Sequence, residues 1–95
     1  MKTFIKTAHE ERYSDGSKTL GIILNSDENN NRIDSLAYIY RQGMYIFFDT
    51  IMGMNDYLLY SDTKIRRSYV PEEDFDNIYD APYIEGNFSE HLKWV

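Results

Sequence analysis

The dipeptide Asp15-Gly16 stands between two stretches rich in apolar and β-branched residues, 2–13 and 18–25. Asp-Gly between such runs is among the strongest local signals for a hairpin, because both central positions of the tight turn need positive φ. A β-hairpin turning at Ser14-Asp15-Gly16-Ser17 is therefore expected. In its second arm Leu20, Ile22 and Leu24 share one face and Gly21, Ile23 and Asn25 the other, so the first set reads as the core face and Ile23 as a sign that the outer face is partly covered.

The same logic extends down the chain. Residues 26–32 (Ser-Asp-Glu-Asn-Asn-Asn-Arg) hold no apolar side chain and read as an exposed loop. Residues 36–40 and 44–48 form a second expected hairpin, turned at Arg41-Gln42-Gly43 with Gly43 supplying positive φ. Tyr45-Ile46-Phe47-Phe48 is apolar on both faces, which places that strand centrally. Residues 49–60 have two readings: a helix capped by Thr50, opposed by Gly53 and Asn55-Asp56, or two strands turning at Asn55-Asp56. The strands are favoured. Residues 64–70 read as an edge strand whose Lys64, Arg66 and Arg67 discourage pairing with another molecule.

After Val70 the pattern changes. Pro71 suits the first position of a helix, Glu72, Glu73 and Asp74 suit its first turn, and Phe75, Ile78 and Tyr79 give it one apolar stripe. Ser89 is placed to cap a final turn, and Trp94 implies that the last residues are held by packing. The expected fold is α+β and mainly β: an antiparallel sheet of five or six strands, a meander or small partly open barrel, followed by a short acidic helical segment. Its 95 residues suit one domain, with 1–70 as scaffold and 71–95 packed on it.

Charge divides the chain at the same point. Residues 1–70 carry nine acidic and nine basic side chains, whereas residues 71–95 carry seven acids against Lys93, so the net charge of −6 belongs to that last segment. Phosphate contacts need Lys and Arg, so this segment is not expected to bind nucleic acid directly or to meet an anionic membrane. A basic protein surface is the expected partner. With no cysteine, no signal-peptide pattern and no long apolar run, a cytoplasmic setting is expected.

Motifs for chemistry are sparse. His9, Glu11 and Arg12, beside Glu10, offer an acid, a base and a phosphate clamp for a small nuclease or hydrolase, but strand alternation puts Glu10 and Arg12 opposite His9 and Glu11. No metal-ligand spacing occurs around His9 or His91, and Asp27-Glu28-Asn29-Asn30-Asn31 is at most a loose calcium loop, so neither metal nor cofactor is expected. Lys64, Arg66 and Arg67 between Tyr60 and Tyr69 suggest a nucleic-acid-binding strand less than they suggest salt-bridge partners for the acidic tail.

The expected working surface is therefore Glu72, Glu73, Asp74, Asp76, Tyr79, Asp80, Tyr83 and Glu85: carboxylates that steer a basic partner, with tyrosines as anchors. Such carboxylates can imitate DNA phosphates. The expected function is stoichiometric inhibition of a nucleic-acid-binding enzyme or a toxin. This type of profile is shared by inhibitors from phages and mobile elements, including anti-defence proteins, and by toxin-immunity proteins, a likeness of type without a matched motif. Self-association into a homo-oligomer through the tyrosine-rich sheet or an open edge is the remaining alternative.

Overall fold

The structure is a computed structural model and describes residues 1–15 and 19–95. Gly16 and Ser17 of the first expected turn, with Lys18, lie outside the described residues. Strands β1 (Lys2–Arg12), β2 (Thr19–Asp27), β3 (Arg32–Arg41) and β4 (Met44–Phe48) form an antiparallel meander. Helix α1 (Ile51–Tyr60) leads to β5 (Arg67–Pro71), which pairs antiparallel with β4. Helix α2 (Glu72–Tyr79) is followed by the two-residue strand β6 (Ile84–Glu85), which pairs with the start of β1. The six strands lie in the order β5-β4-β3-β2-β1-β6 and curl into a half-barrel. The expected mainly-β fold with an acidic helical segment is the observed one.

Turn chemistry explains the register. Gln42 and Gly43 both adopt positive φ (52° and 78°), giving the two-residue turn whose twist matches an antiparallel pair and setting Arg41 opposite Met44. The polar loop is shorter than its composition suggests, since Ser26 and Asp27 end β2 and Arg32 begins β3. The Asp27 carboxylate accepts the backbone N–H groups of Asn29 and Asn31 at 2.9 Å each and folds that loop back on itself.

Both faces of the sheet are covered. On one face Ala37, Ile39, Ile46 and Phe48 meet Met54 of α1. On the other, Ile23, Leu36, Tyr38, Phe47 and Val70 meet Phe75 of α2 and Phe88 of a 3₁₀ turn, residues Phe88–His91. Phe47 and Phe48 point to opposite faces and neither is exposed, which makes β4 the buried strand its apolar run indicates. Each contributes about 1.5–3 kcal/mol of transfer free energy.

Several expectations are corrected. Residues 51–60 are helical, not a strand pair: the Thr50 side chain accepts the Gly53 N–H at 2.9 Å, and Met54, Tyr57 and Leu58 pack on the sheet. Burial of that stripe outweighs the cost of Gly53 and Asn55-Asp56 in the interior. β5 is the edge strand but starts only at Arg67, after a turn that holds Lys64, with Arg66 between the turn and the strand. Pro71 ends β5 and precedes α2 with ψ 146°, one position before the helix. Ser89 caps nothing, because the last turn begins at Phe88 with Asn87 in the cap position. On β2 the burial is reversed: Gly21, Ile23 and Asn25 are fully buried while Leu20, Ile22 and Leu24 are half-buried.

The last residues are held as their aromatic content indicates. Trp94 donates its indole N–H to the Ser89 carbonyl at 2.9 Å and carries the Arg66 guanidinium over its ring at 4.2 Å. Val95 and Arg67 exchange two backbone hydrogen bonds, at 2.8 and 3.0 Å, on the outer side of β5. Residues 71–95 thus leave the β5 edge, cross one face to reach β1, and return across it to β5.

Candidate functional site

Helix α2 is fixed to the sheet from three sides. Its buried Phe75 lies 4.3 Å from the Tyr45 ring and 5.6 Å from Phe47, measured between centroids. The Glu72 N–H, one of the orphan donors of the helix start, is taken by the Gly43 carbonyl at 2.9 Å. The Glu72 carboxylate accepts the Tyr40 hydroxyl. With those anchors in place, Glu73, Asp74, Asp76 and Asp80 project from the exposed side, and none makes an ion pair or side-chain hydrogen bond among the described residues.

The remaining expected site residues are spread out. Tyr79 leans on Phe75 at 5.5 Å and is 39% exposed. Tyr83, beyond the helix, lies under the Lys2 ammonium at 4.7 Å, and together with Tyr79 and Phe4 it lines a small cleft. Glu85 sits on β6, where its carboxylate pairs with the terminal amine of Met1 at 3.1 Å. The structure brings Glu72, Glu73, Asp74 and Asp76 onto one helix with Asp80 at its C-cap, sets the two tyrosines at its C-terminal end, and puts Glu85 in an ion pair.

At the N-terminal end of α2 lies a group that sequence reasoning missed. Tyr38 and Tyr40 of β3 share a face and meet Tyr45 of β4, with centroids 5.6 and 4.8 Å apart and rings tilted by 54° and 45°. Glu10 joins them from β1 because of a register shift between Thr7 and His9. The extra residue changes the phase of the strand, so Glu10 faces Gly21 and Tyr38 on the α2 side while His9 and Glu11 face α1. The Tyr38 hydroxyl lies 3.3 Å from Glu10 Oε2, and Arg12 grips Glu10 Oε1 at 2.7 Å. These four residues, with Glu72 of α2 and Arg12, surround an open cleft of about 130 Å³.

Burial and neighbouring carboxylates act together on the phenols of this cleft. Burial, then the charges of Asp76 and Glu72, pushes the Tyr45 hydroxyl up to about 12. Burial and the Glu10 carboxylate raise Tyr38 further, and the hydrogen bond to Glu72 raises Tyr40. All three stay neutral, with Tyr38 donating to Glu10 and Tyr40 to Glu72. The sequence signal was the i, i+2 pair Tyr38/Tyr40 facing Tyr45 across a two-residue turn.

The other candidates are dispersed. His9 and Glu11 approach at 3.3 Å, but Arg12 pairs with Glu10 on the opposite side of the strand, so His9, Glu11 and Arg12 do not converge. The Asp27 carboxylate is engaged by backbone N–H groups, chiefly that of Asn31, which hold its pKa below the usual range. No group of three metal-ligating side chains forms among the described residues. The cations before and in β5 do not serve the acidic segment's carboxylates: Arg66 pairs with Asp49 at 3.1 Å, and Arg67 donates to the Tyr69 hydroxyl at 2.9 Å and to the Thr63 and Ile65 carbonyls. No helix among the described residues is long and apolar enough to cross a membrane. Comparison with protein-family models, curated proteins and solved structures finds no match to this chain.

Proposed function

We propose that this chain is a protein-binding module that acts stoichiometrically, laying the acidic face of α2 on a basic, nucleic-acid-binding surface of a partner enzyme or toxin. The observation that carries the reading is that Glu73, Asp74 and Asp76 on α2 and Asp80 at its C-cap stand exposed and, among the described residues, unpaired, on a helix fastened by Phe75 and Glu72. Carboxylates on a mobile tail lose entropy when a partner orders them, whereas these are already spaced along a rigid element. Fixed negative charge accelerates encounter with a basic surface and imitates the phosphates that surface would otherwise hold.

The test is capture of partners from the native host with the intact protein and with a variant carrying Glu73→Gln, Asp74→Asn, Asp76→Asn and Asp80→Asn. The partner is expected to be basic, and the variant to bind it on the order of tenfold more weakly with a flatter salt dependence. Equal affinity and an equal salt slope for the two proteins would sink the reading.

Self-association is a second reading, favoured by α1. That helix is apolar around most of its circumference, yet its outer side is in solvent, with Met52 75%, Leu59 72% and Tyr60 74% exposed. A second copy covering this side would give a molar mass that rises with concentration and falls back to 11.3 kDa in a Met52→Lys, Leu59→Lys variant. A mass independent of concentration removes this reading and leaves the first untouched.

A further inference from the structure

We infer that the cleft between Tyr38, Tyr40, Tyr45, Glu10 and Glu72 is a seat for a guanidinium group, the arginine side chain of a basic partner. It is more than a cluster of acids. Three tilted aromatic rings form its walls, carboxylates stand on two sides, and the opening of about 130 Å³ faces solvent. Guanidinium is flat and weakly hydrated, so it stacks on tyrosine faces while its forked N–H donors reach a carboxylate. An ammonium ion is compact and strongly hydrated and gains less from the same walls.

The molecule already carries a guanidinium at the mouth of the cleft. Arg12 Nε and Nη2 both lie 2.7 Å from Glu10 Oε1, while the Arg12 side chain is 75% exposed and sits near the end of β1. A resident group so exposed can be displaced by one delivered from outside, and Glu10 Oε2 is held toward the cleft by the Tyr38 hydroxyl. On the far wall Glu72 is oriented by Tyr40 and by its position at the start of α2. The carboxylates of Glu10, Glu72 and Asp76, whose charges add to the effect of burial on these phenols, favour a cation at the same place.

The assignment deepens the proposed occlusion of a basic surface and rests on it for the origin of the arginine, but the seat itself is testable without any partner. The probe is N-acetyl-arginine methylamide, titrated into the full chain at constant ionic strength while the tyrosine ring resonances are followed by NMR. The neutral citrulline analogue serves as the isosteric control. Saturable shifts confined to Tyr38, Tyr40 and Tyr45 are expected with arginine and absent with citrulline. Glu72→Gln should weaken the probe about two- to fivefold, the scale of one exposed cation contact. Arg12→Gln should tighten it by about twofold or more, since the resident competitor is gone.

Equal shifts with citrulline, shifts that spread over the other tyrosines without saturating, or affinity indifferent to both substitutions would overturn the seat. A seat that binds arginine in a protein whose neutralised α2 still captures its partner would overturn the occlusion reading alone. A charge-dependent partner with no seat would overturn this one alone.

Discussion

Gly21 and Tyr38 face each other across β2 and β3, and the tyrosine ring occupies the space a side chain on Gly21 would need. A Cβ there would fall well inside contact distance of the Tyr38 ring and hydroxyl and of the His9 carbonyl. The glycine is required by this close approach, and the approach is what lays Tyr38 flat enough for its hydroxyl to reach Glu10. Gly21→Ala is therefore expected to cost about 1–3 kcal/mol through overpacking, read from the midpoint of denaturant unfolding. A midpoint unchanged within error would mean that Tyr38 does not need this space.

Asn25 is a buried amide with two tasks. Its side-chain N–H₂ donates to the Phe4 carbonyl at 3.3 Å and its carbonyl accepts the Phe88 N–H at 2.9 Å, joining β1, β2 and the last 3₁₀ turn. Asn25→Ala leaves the buried Phe88 N–H without a partner and is expected to cost about 1–3 kcal/mol. The Phe88 amide should also exchange with solvent faster in the variant than in the parent protein.

Ser68 has the opposite character. It is fully buried opposite Phe47, and its hydroxyl finds no hydrogen-bond partner among the described residues. Removing an unsatisfied polar atom relieves its desolvation, so Ser68→Ala should raise stability by up to about 1 kcal/mol. A loss of stability would show that the hydroxyl is satisfied in solution.

Alkaline pH should loosen the tyrosine group. A phenol whose pKa rises from about 10 in the unfolded chain to about 12 at Tyr45 binds its proton more tightly when folded. Its contribution to stability is complete below pH 10 and is lost as pH climbs toward 12; Tyr38 and Tyr40 share the sign. Unfolding free energy should therefore be level with respect to these groups near neutrality and fall above pH 10, with a shallower fall in Tyr45→Phe.

Much of the sheet was legible because its turns are chemical. Gln42-Gly43 dictates one register, and the apolar run at Tyr45-Ile46-Phe47-Phe48 can be satisfied only by a strand covered on both sides. Helix α1 was not legible because the residues that oppose it are local and those that stabilise it are distant: Met54 packs on Ala37, Ile39 and Phe48, which no window around Gly53 contains. On β2 the buried face was misjudged because Gly21 and Asn25 resemble surface residues until Tyr38 fills the gap and Phe88 takes the amide.

The acidic helix was legible from Pro71 and the carboxylates after it, because the preference for acids at a helix N-terminus is written in consecutive positions. The tyrosine cleft was not. Its two carboxylates come from β1 and α2, far apart in the chain, and the bulge that turns Glu10 toward Tyr38 leaves no mark in composition. Only the alternation of Tyr38 and Tyr40 hinted at it.

The path of residues 71–95, from β5 to β1 and back, has a thermodynamic consequence. Helix α2 belongs to the segment that fastens both margins of the sheet, so detaching it frees β6 from β1 and Val95 from Arg67 in one cooperative opening. Any molecule that grips α2 is linked to that opening: occupancy at 100 times Kd adds about 2.7 kcal/mol to the folded state. The added protection would be felt at amides along β1 and β5, far from the point of contact, so the fold itself reports whether its acidic face is occupied.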